Sequence, residues 1–115
     1  LAVNLEAIPE SSISQQCVLY GTVNNIQNGK QGELWLNVGH PYLEPGILIE
    51  KSFVRQFLRN FKLKSADDLA GAEVIIVGSP WVSATGKTVV KLSFTKYISF
   101  RRCKIVEKKS EPVTA

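Results

Sequence analysis

The sequence predicts a mainly β domain, with five strands and one α-helix placed between strands three and four. Several short segments alternate apolar and polar residues, which is typical of strands with one buried face. Turn signals separate these segments, and the apolar spacing of a helix occurs at one place, residues 52–62. A chain of 115 residues, of which 44% are hydrophobic, has the size of one domain with its own core.

Composition divides the chain into three parts. Residues 1–15 contain Pro9 and several serines, so we expect a lead-in that holds at most one short strand, at residues 2–5. Residues 16–106 contain all the longer alternating segments and form the predicted domain. Residues 107–115 are polar and are predicted to be a flexible tail.

The first two predicted strands form a hairpin. Strand one covers residues 17–26 and contains Gly21, which indicates a bulge or a sharp coil of the strand. Residues 28–32, rich in glycine, are a hairpin turn signal, and strand two follows at residues 33–38. Alternation in strand two gives an inward set, Leu34, Leu36 and Val38, and an outward set, Glu33, Trp35 and Asn37.

A loop with two prolines, residues 39–46, leads to a short third strand at residues 47–50. The helix is predicted over residues 52–62, with Ser52 as its N-cap. Its apolar stripe consists of Phe53, Val54, Phe57, Leu58 and Phe61, and its basic face of Lys51, Arg55, Arg59 and Lys62.

Strands four and five complete the predicted domain. Strand four, residues 73–77, is largely apolar, which predicts a strand covered on both sides. A second hairpin loop covers residues 83–87, and one long strand five is predicted over residues 88–102. Its inward side chains would be Val90, Leu92, Phe94, Ile98 and Phe100, and its outward face would carry Lys91, Tyr97 and Arg101.

This order of elements resembles the five-stranded OB barrel, whose helix lies between strands three and four. The resemblance covers residues 17–105 and depends on element order. It implies a mainly β, OB-like barrel that binds single-stranded nucleic acid or oligosaccharide across strands two and three and the neighbouring loops. In size and basic charge the chain also resembles the single-stranded-DNA-binding proteins of filamentous bacteriophages. That family resemblance implies strand coating during replication, a homo-dimer or higher oligomer, and the bacterial cytoplasm.

The charge distribution indicates where a polyanion would bind. The net charge is +4, yet residues 1–50 carry five acids and one base, whereas residues 51–105 carry eleven bases and three acids. A strongly basic second half favours a polyanionic partner. The alternative is that the basic residues only keep a small domain in solution.

Binding single strands requires aromatic faces for the bases and cations along the backbone. The predicted nucleic-acid-binding residues are Tyr20, Trp35, Trp81, Lys87, Lys91, Tyr97, Arg101 and Arg102. For the two tryptophans the alternative is to cap the barrel or to cover a dimer contact. For the two tyrosines it is an ordinary half-buried strand position. The basic helix face is expected to be a solvated surface.

We expect no enzymatic activity, no cofactor, no metal site and no membrane span. Residues 85–88 resemble the end of a phosphate-binding loop, but Trp81 stands where that loop needs glycine. The single histidine, His40, and the two cysteines, Cys17 and Cys103, cannot make a four-ligand zinc site. Alternatives to DNA binding are an RNA-binding translational repressor, a protein-interaction module, and a secreted domain closed by a Cys17–Cys103 disulfide.

Overall fold

Backbone pairing places the strands of this computed structural model in two sheets. The structure describes residues 1–39 and 44–101, and this part of the chain is mainly β with one α-helix. The strands are β1 (Ala2–Asn4), β2 (Cys17–Thr22), β3 (Asn25–Asn28), β4 (Leu34–Asn37), β5 (Gly46–Ile49), β6 (Glu73–Gly78), β7 (Trp81–Val82), β8 (Thr88–Lys91) and β9 (Ile98–Arg101). Sheet A has the order β1-β2-β6-β9 and sheet B the order β3-β4-β5-β8-β7.

Predicted strand one passes from one sheet to the other. Its first part is β2, which pairs with β6, and its second part is β3, which pairs with β4. At the crossing, the Val23 N–H donates to Ala72 O at 2.9 Å, and the Asn24 N–H donates to Asn37 O at 2.8 Å. A Cβ at Gly21 would lie 3.3 Å from the Leu5 side chain, so the glycine permits a close approach of the lead-in.

The prediction that strand five is one continuous strand is wrong. It divides into β8 in sheet B and β9 in sheet A, separated by a 3₁₀ turn at Thr95–Tyr97. The turn changes the alternation, so Phe94, predicted to face inward, is 58% exposed. The hairpin loop before β8 is confirmed, since the Ser83 N–H donates to Lys87 O at 2.8 Å and Gly86 has a φ of +88°. The short strand β7, which pairs with β8, was not predicted.

The core lies between the two sheets and is closed at one end by helix α1 (Lys51–Asn60). Phe57 is fully buried, and Phe61 packs on Phe100 with ring centroids 5.2 Å apart. The predicted Ser52 cap is wrong, because Glu50 occupies the N-cap position and no side chain caps the helix. Other core residues are Leu5, Leu19, Leu34, Leu36, Val38, Ile47, Ile49, Val74, Ile76 and Val90.

Strand four of the prediction corresponds to β6, and the prediction that both of its faces are buried is wrong. Val74 and Ile76 face the core, whereas Ile75, between them, is 49% exposed on the outer face of sheet A. Side chains alternate along a strand, and the helix packs against the core rather than over this face. The outer face of sheet A is therefore an exposed apolar surface.

The short strand predicted at residues 2–5 is confirmed as β1, which pairs in parallel with β2. The three-part division of the chain stays a prediction. The predicted tail, residues 107–115, lies outside the described residues, as do Arg102, Cys103 and His40. In the described part of the chain, no helix has both the length and the apolar character needed to cross a membrane.

Candidate nucleic-acid interface

The outer face of sheet B brings together four of the predicted binding residues. Pairing places Trp35, Leu48 and Lys91 side by side on β4, β5 and β8. The next row on the same face consists of Asn37, Gly46, Val89 and Trp81, because side chains two positions apart share a face. Lys87 reaches this face from the loop that precedes β8. We call this surface, with Trp35, Trp81, Lys87 and Lys91, the sheet B interface.

Lys87 lies at the centre of the sheet B interface. Its Nζ donates to Asn37 Oδ1 at 2.7 Å and lies 4.7 Å from the centroid of the Trp35 ring. The residue is only 8% exposed, and this burial lowers the pKa of Lys87 below the ordinary lysine value. A cation over an indole face is attracted by the ring's electrons, so Lys87 holds one face of Trp35.

Asn37 continues this contact into a chain of side-chain amides. Its Nδ2 donates to Asn25 Oδ1 at 2.9 Å, and Asn25 Nδ2 donates to Gly39 O at 3.3 Å. Asn37 was predicted to be an exposed outward residue, but it is fully buried beneath Lys87. A buried amide needs its hydrogen bonds satisfied, and Lys87 and Asn25 do this.

Gly46 makes room for the lysine. A Cβ at this position would lie 2.6 Å from Asn37 Oδ1 and 3.0 Å from Lys87 Cε. The first distance is shorter than real Cβ contacts, and the second lies at their lower limit. Only glycine therefore lets Lys87 cross β5 to reach Asn37. Sequence reasoning missed Asn37 and Gly46 as parts of the site, because no local pattern links them to a lysine far along the chain.

Glu33 holds the edge of the Trp35 indole. Trp35 Nε1 donates to Glu33 Oε2 at 3.3 Å, and the Gln31 N–H donates to Glu33 Oε1 at 3.0 Å. The pKa of Glu33 is lowered, mainly by a hydrogen bond from its own backbone N–H; desolvation, the next largest effect, opposes this, and the Gln31 and Trp35 donors lower the pKa further. An open groove of about 660 Å³ runs beside the ring and is lined by Leu48, Glu50 and Lys51. The indole is thus oriented at the wall of an accessible groove.

The charges of the sheet B interface are mixed. Lys91 Nζ lies 3.2 Å from Glu50 Oε1, and both side chains are about half exposed. A surface ion pair of this kind contributes about 0–1 kcal/mol, so Lys91 can exchange Glu50 for a phosphate at little cost. The basic excess counted along the sequence is therefore partly neutralised at this face.

The other predicted binding residues lie elsewhere. Tyr20, 43% exposed, and Arg101 are on the outer face of sheet A, where Arg101 Nε donates to Glu73 Oε1 at 2.7 Å. Tyr97 lies half-buried in the 3₁₀ turn, so its predicted common face with Lys91 and Arg101 is wrong. Arg102 lies outside the described residues.

Sheet A carries a second groove, of about 480 Å³. Its apolar lining includes Val18, Tyr20 and Ile75, which are 40%, 43% and 49% exposed. Its rim carries both signs of charge, from Glu73 and Arg101. This surface lacks the lysines of the sheet B interface.

No group of three or more histidine, cysteine or acidic side chains that could hold a metal ion occurs within residues 1–39 and 44–101. Cys17 forms no disulfide with any residue in the described part of the chain. The suggested Cys17–Cys103 disulfide involves a partner outside the described residues.

Comparison with known proteins gives a likeness in fold. No family model and no curated protein sequence matches the chain. Among solved structures, it is similar to a crystal structure described as an aspartyl-tRNA synthetase from Leishmania major Friedlin, with a TM-score of 0.55 and 8% identity. The match covers 87% of this chain and 20% of the other, so the chain spans about a fifth of that protein's length.

Proposed function

We propose that this chain is a non-enzymatic protein that binds single-stranded DNA on a five-stranded OB-like barrel. The strand pairings support the barrel when β2 with β3 and β8 with β9 are counted as two bent strands. In this count β2 and β3 form strand one, β4 is strand two, β5 is strand three, β6 is strand four, and β8 and β9 form strand five. Strand one then pairs with two, two with three, three with five, and five with four. Strand four pairs with strand one again through β6 and β2. Such a return is what closes a barrel.

One observation carries the function: a tryptophan is held in a fixed orientation on the strands where OB folds bind their ligands. Trp35 and Leu48 lie on β4 and β5, the second and third strands of the proposed barrel. Lys87 and Glu33 orient the indole, and an oriented aromatic ring loses little entropy when a base stacks on it. Trp81, 43% exposed, offers a second stacking surface near the lysines.

RNA is the nearest competing ligand. The structure with a similar fold belongs to a protein whose name says that it acts on tRNA. An RNA-binding translational repressor would use the same stacking surface and would differ in contacts to the 2′-hydroxyl. Matched DNA and RNA strands in competition separate the two.

We also propose that two copies of this chain associate through the outer face of sheet A. Val18, Tyr20 and Ile75 form an exposed apolar centre, and Glu73 and Arg101 supply opposite charges at its rim. A two-fold interface must be self-complementary, and a surface with both charges meets that need. The resemblance to bacteriophage proteins supports replication of a phage or mobile element in a bacterial cytoplasm as the setting.

The test is a fluorescence titration with thirty-nucleotide dT and U strands at low salt. We expect quenching of tryptophan emission, stronger affinity for dT, and a log–log salt slope of about −0.7 for each phosphate neutralised. Trp35→Leu should weaken binding by about 1–3 kcal/mol, the value of one stacked base. Trp35→Phe is the matched control, because it keeps an aromatic face, and it should weaken binding less than Trp35→Leu does. Absence of binding to both strands would refute the proposal.

A further inference from the structure

The 3₁₀ turn at Thr95–Tyr97 carries an aromatic and basic cluster separate from the sheet B interface. Phe94, just before the turn, is 58% exposed, and its ring lies edge-on to Tyr97 with centroids 5.7 Å apart. Lys96 Nζ lies 6.0 Å from the centroid of the Phe94 ring and 5.3 Å from that of Tyr97. We call Phe94, Lys96 and Tyr97 the turn cluster.

Several contacts fix the position of the turn cluster. The Tyr97 N–H donates to Phe94 O at 3.0 Å, and Tyr97 packs against the core. Asn60 Nδ2 donates to Thr95 Oγ1 at 2.9 Å, which joins the turn to the last residue of α1. An exposed phenylalanine on a fixed turn has its apolar face available without an ordering cost on binding.

Exposed basic residues flank the contact between α1 and the turn. The Asn60 contact joins the end of α1 to the turn, and exposed Arg59 and Lys62 stand on either side of Asn60 in the sequence. Within the described residues, Lys91 pairs with Glu50 and Arg101 with Glu73, and no salt bridge involves Lys96, Arg59 or Lys62. Positive charge beside an aromatic face is complementary to a nucleotide, in which a base adjoins a phosphate.

The turn cluster lies within reach of the sheet B interface along the same segment. Lys91 and Trp35 are two strands apart in register, which corresponds to about 10 Å. Phe94 follows Lys91 by three residues, which span at most about 11 Å. Trp35 and Phe94 are therefore separated by at most about 20 Å, a distance that about six nucleotides cover at the spacing of a stacked strand.

We propose that the turn cluster is a second contact for the same nucleic-acid strand, with a base stacked on Phe94 and a phosphate at Lys96. This inference rests on the proposed function of the sheet B interface and adds the ligand's length. An oligonucleotide of about six nucleotides is then long enough to contact both sites, within the range of about 4–16 known for OB folds. A strand of three nucleotides is expected to contact Trp35 without reaching Phe94.

The experiment compares Phe94→Ala and Phe94→Trp on dT strands of three and twelve nucleotides. Phe94→Ala should weaken binding of the twelve-mer by about 5- to 150-fold, the effect of one stacked base, and leave the three-mer unchanged. Phe94→Trp should bind both as the wild type does, because it keeps an aromatic face. Circular dichroism and urea unfolding establish that each variant is folded.

A second measurement separates charge from stacking. Lys96→Ala should reduce the magnitude of the salt slope for the twelve-mer by about 0.7, the contribution of one phosphate. The inference is overturned if the wild type binds the twelve-mer and Phe94→Ala does not weaken it, or weakens both lengths equally. A wild type that binds neither strand instead rejects the proposed function of the sheet B interface.

Discussion

Replacing Lys87 by methionine tests the central contact of the sheet B interface. Methionine keeps most of the apolar stem and removes the ammonium group, which donates to Asn37 Oδ1 and lies over the Trp35 ring. A hydrogen bond from a charged group contributes about 1.5–3 kcal/mol, and a cation–π contact about 0.5–2 kcal/mol. Burial of the ammonium opposes both, as the lowered pKa of Lys87 indicates.

The net effect follows from these opposing contributions. Lys87→Met leaves Asn37 Oδ1 buried without its lysine donor, which costs about 1–3 kcal/mol. Relief of the desolvation of the lysine recovers part of this. We expect the free energy of unfolding to fall by about 1–2 kcal/mol.

Urea unfolding followed by tryptophan fluorescence measures the change, in a Trp81→Phe background so that emission reports Trp35. Lys91→Met is the matched control: the same substitution on the same face removes a surface ion pair with Glu50 and should cost at most about 1 kcal/mol. Lys87→Met should also change the emission of folded Trp35, whereas Lys91→Met should not. Equal stability of Lys87→Met and wild type, with unchanged emission, would show that the contact does not hold the indole.

Three further outcomes are expected. Gly46→Ala should lower the free energy of unfolding, measured by urea unfolding, by about 1–3 kcal/mol, since its Cβ would overlap Asn37 Oδ1. In an Asn37→Ala background, the same substitution should cost little further stability. The lowered pKa of Lys87 means that, as the pH approaches 10.5 from below, the folded chain loses this proton before the unfolded chain does, so wild-type stability should rise relative to Lys87→Met over that range; a flat difference contradicts this. Ile75→Glu should convert the proposed dimer to a monomer, as measured by light scattering. The control is Val82→Glu, which changes an exposed apolar residue of β7 in sheet B and should leave the dimer intact. A monomeric wild-type protein would reject the proposed dimer.

The alternation of side chains made part of the fold predictable. Leu34, Leu36 and Val38 were predicted to face inward and are buried, because period-two alternation reports which face of a strand meets the core. The stripe containing Phe57 predicted the helix for the equivalent reason at period 3.6. These patterns are local, so a single sequence contains all the information they need.

Predicting buried positions from alternation failed where a segment passes from one sheet to the other. In predicted strand five, the inward positions run from Val90 through Phe94 to Ile98, and the position between the last two is Lys96. A lysine in an inward register was the signal that the strand is interrupted there, and the 3₁₀ turn occurs at this point. In strand one the crossing lies at Val23 and Asn24, and the corresponding signals were Gly21 inside the strand and the polar Asn25 at the next inward position.

The chemistry of the sheet B interface was the least predictable part. Trp35 and Lys87 could be proposed separately, as an outward aromatic and a loop cation. Their contact depends on Gly46, which has no side chain, and on Asn37, which is buried and accepts a hydrogen bond from the lysine. Such an arrangement joins residues on two strands and one loop, and it appears only when the strand register is known.

Counting charges along the sequence overstated the role of cations at the interface. Lys87 is buried against Asn37, and Lys91 and Arg101 each pair with a glutamate. The basic residues without a salt bridge in the described part of the chain include Lys96, Arg59 and Lys62, near the turn cluster rather than around Trp35. Binding at Trp35 should then depend mainly on stacking, and its salt dependence should arise mainly from the turn cluster. The proposed ligand path therefore has an aromatic end and a basic end, which the total charge of +4 could not reveal.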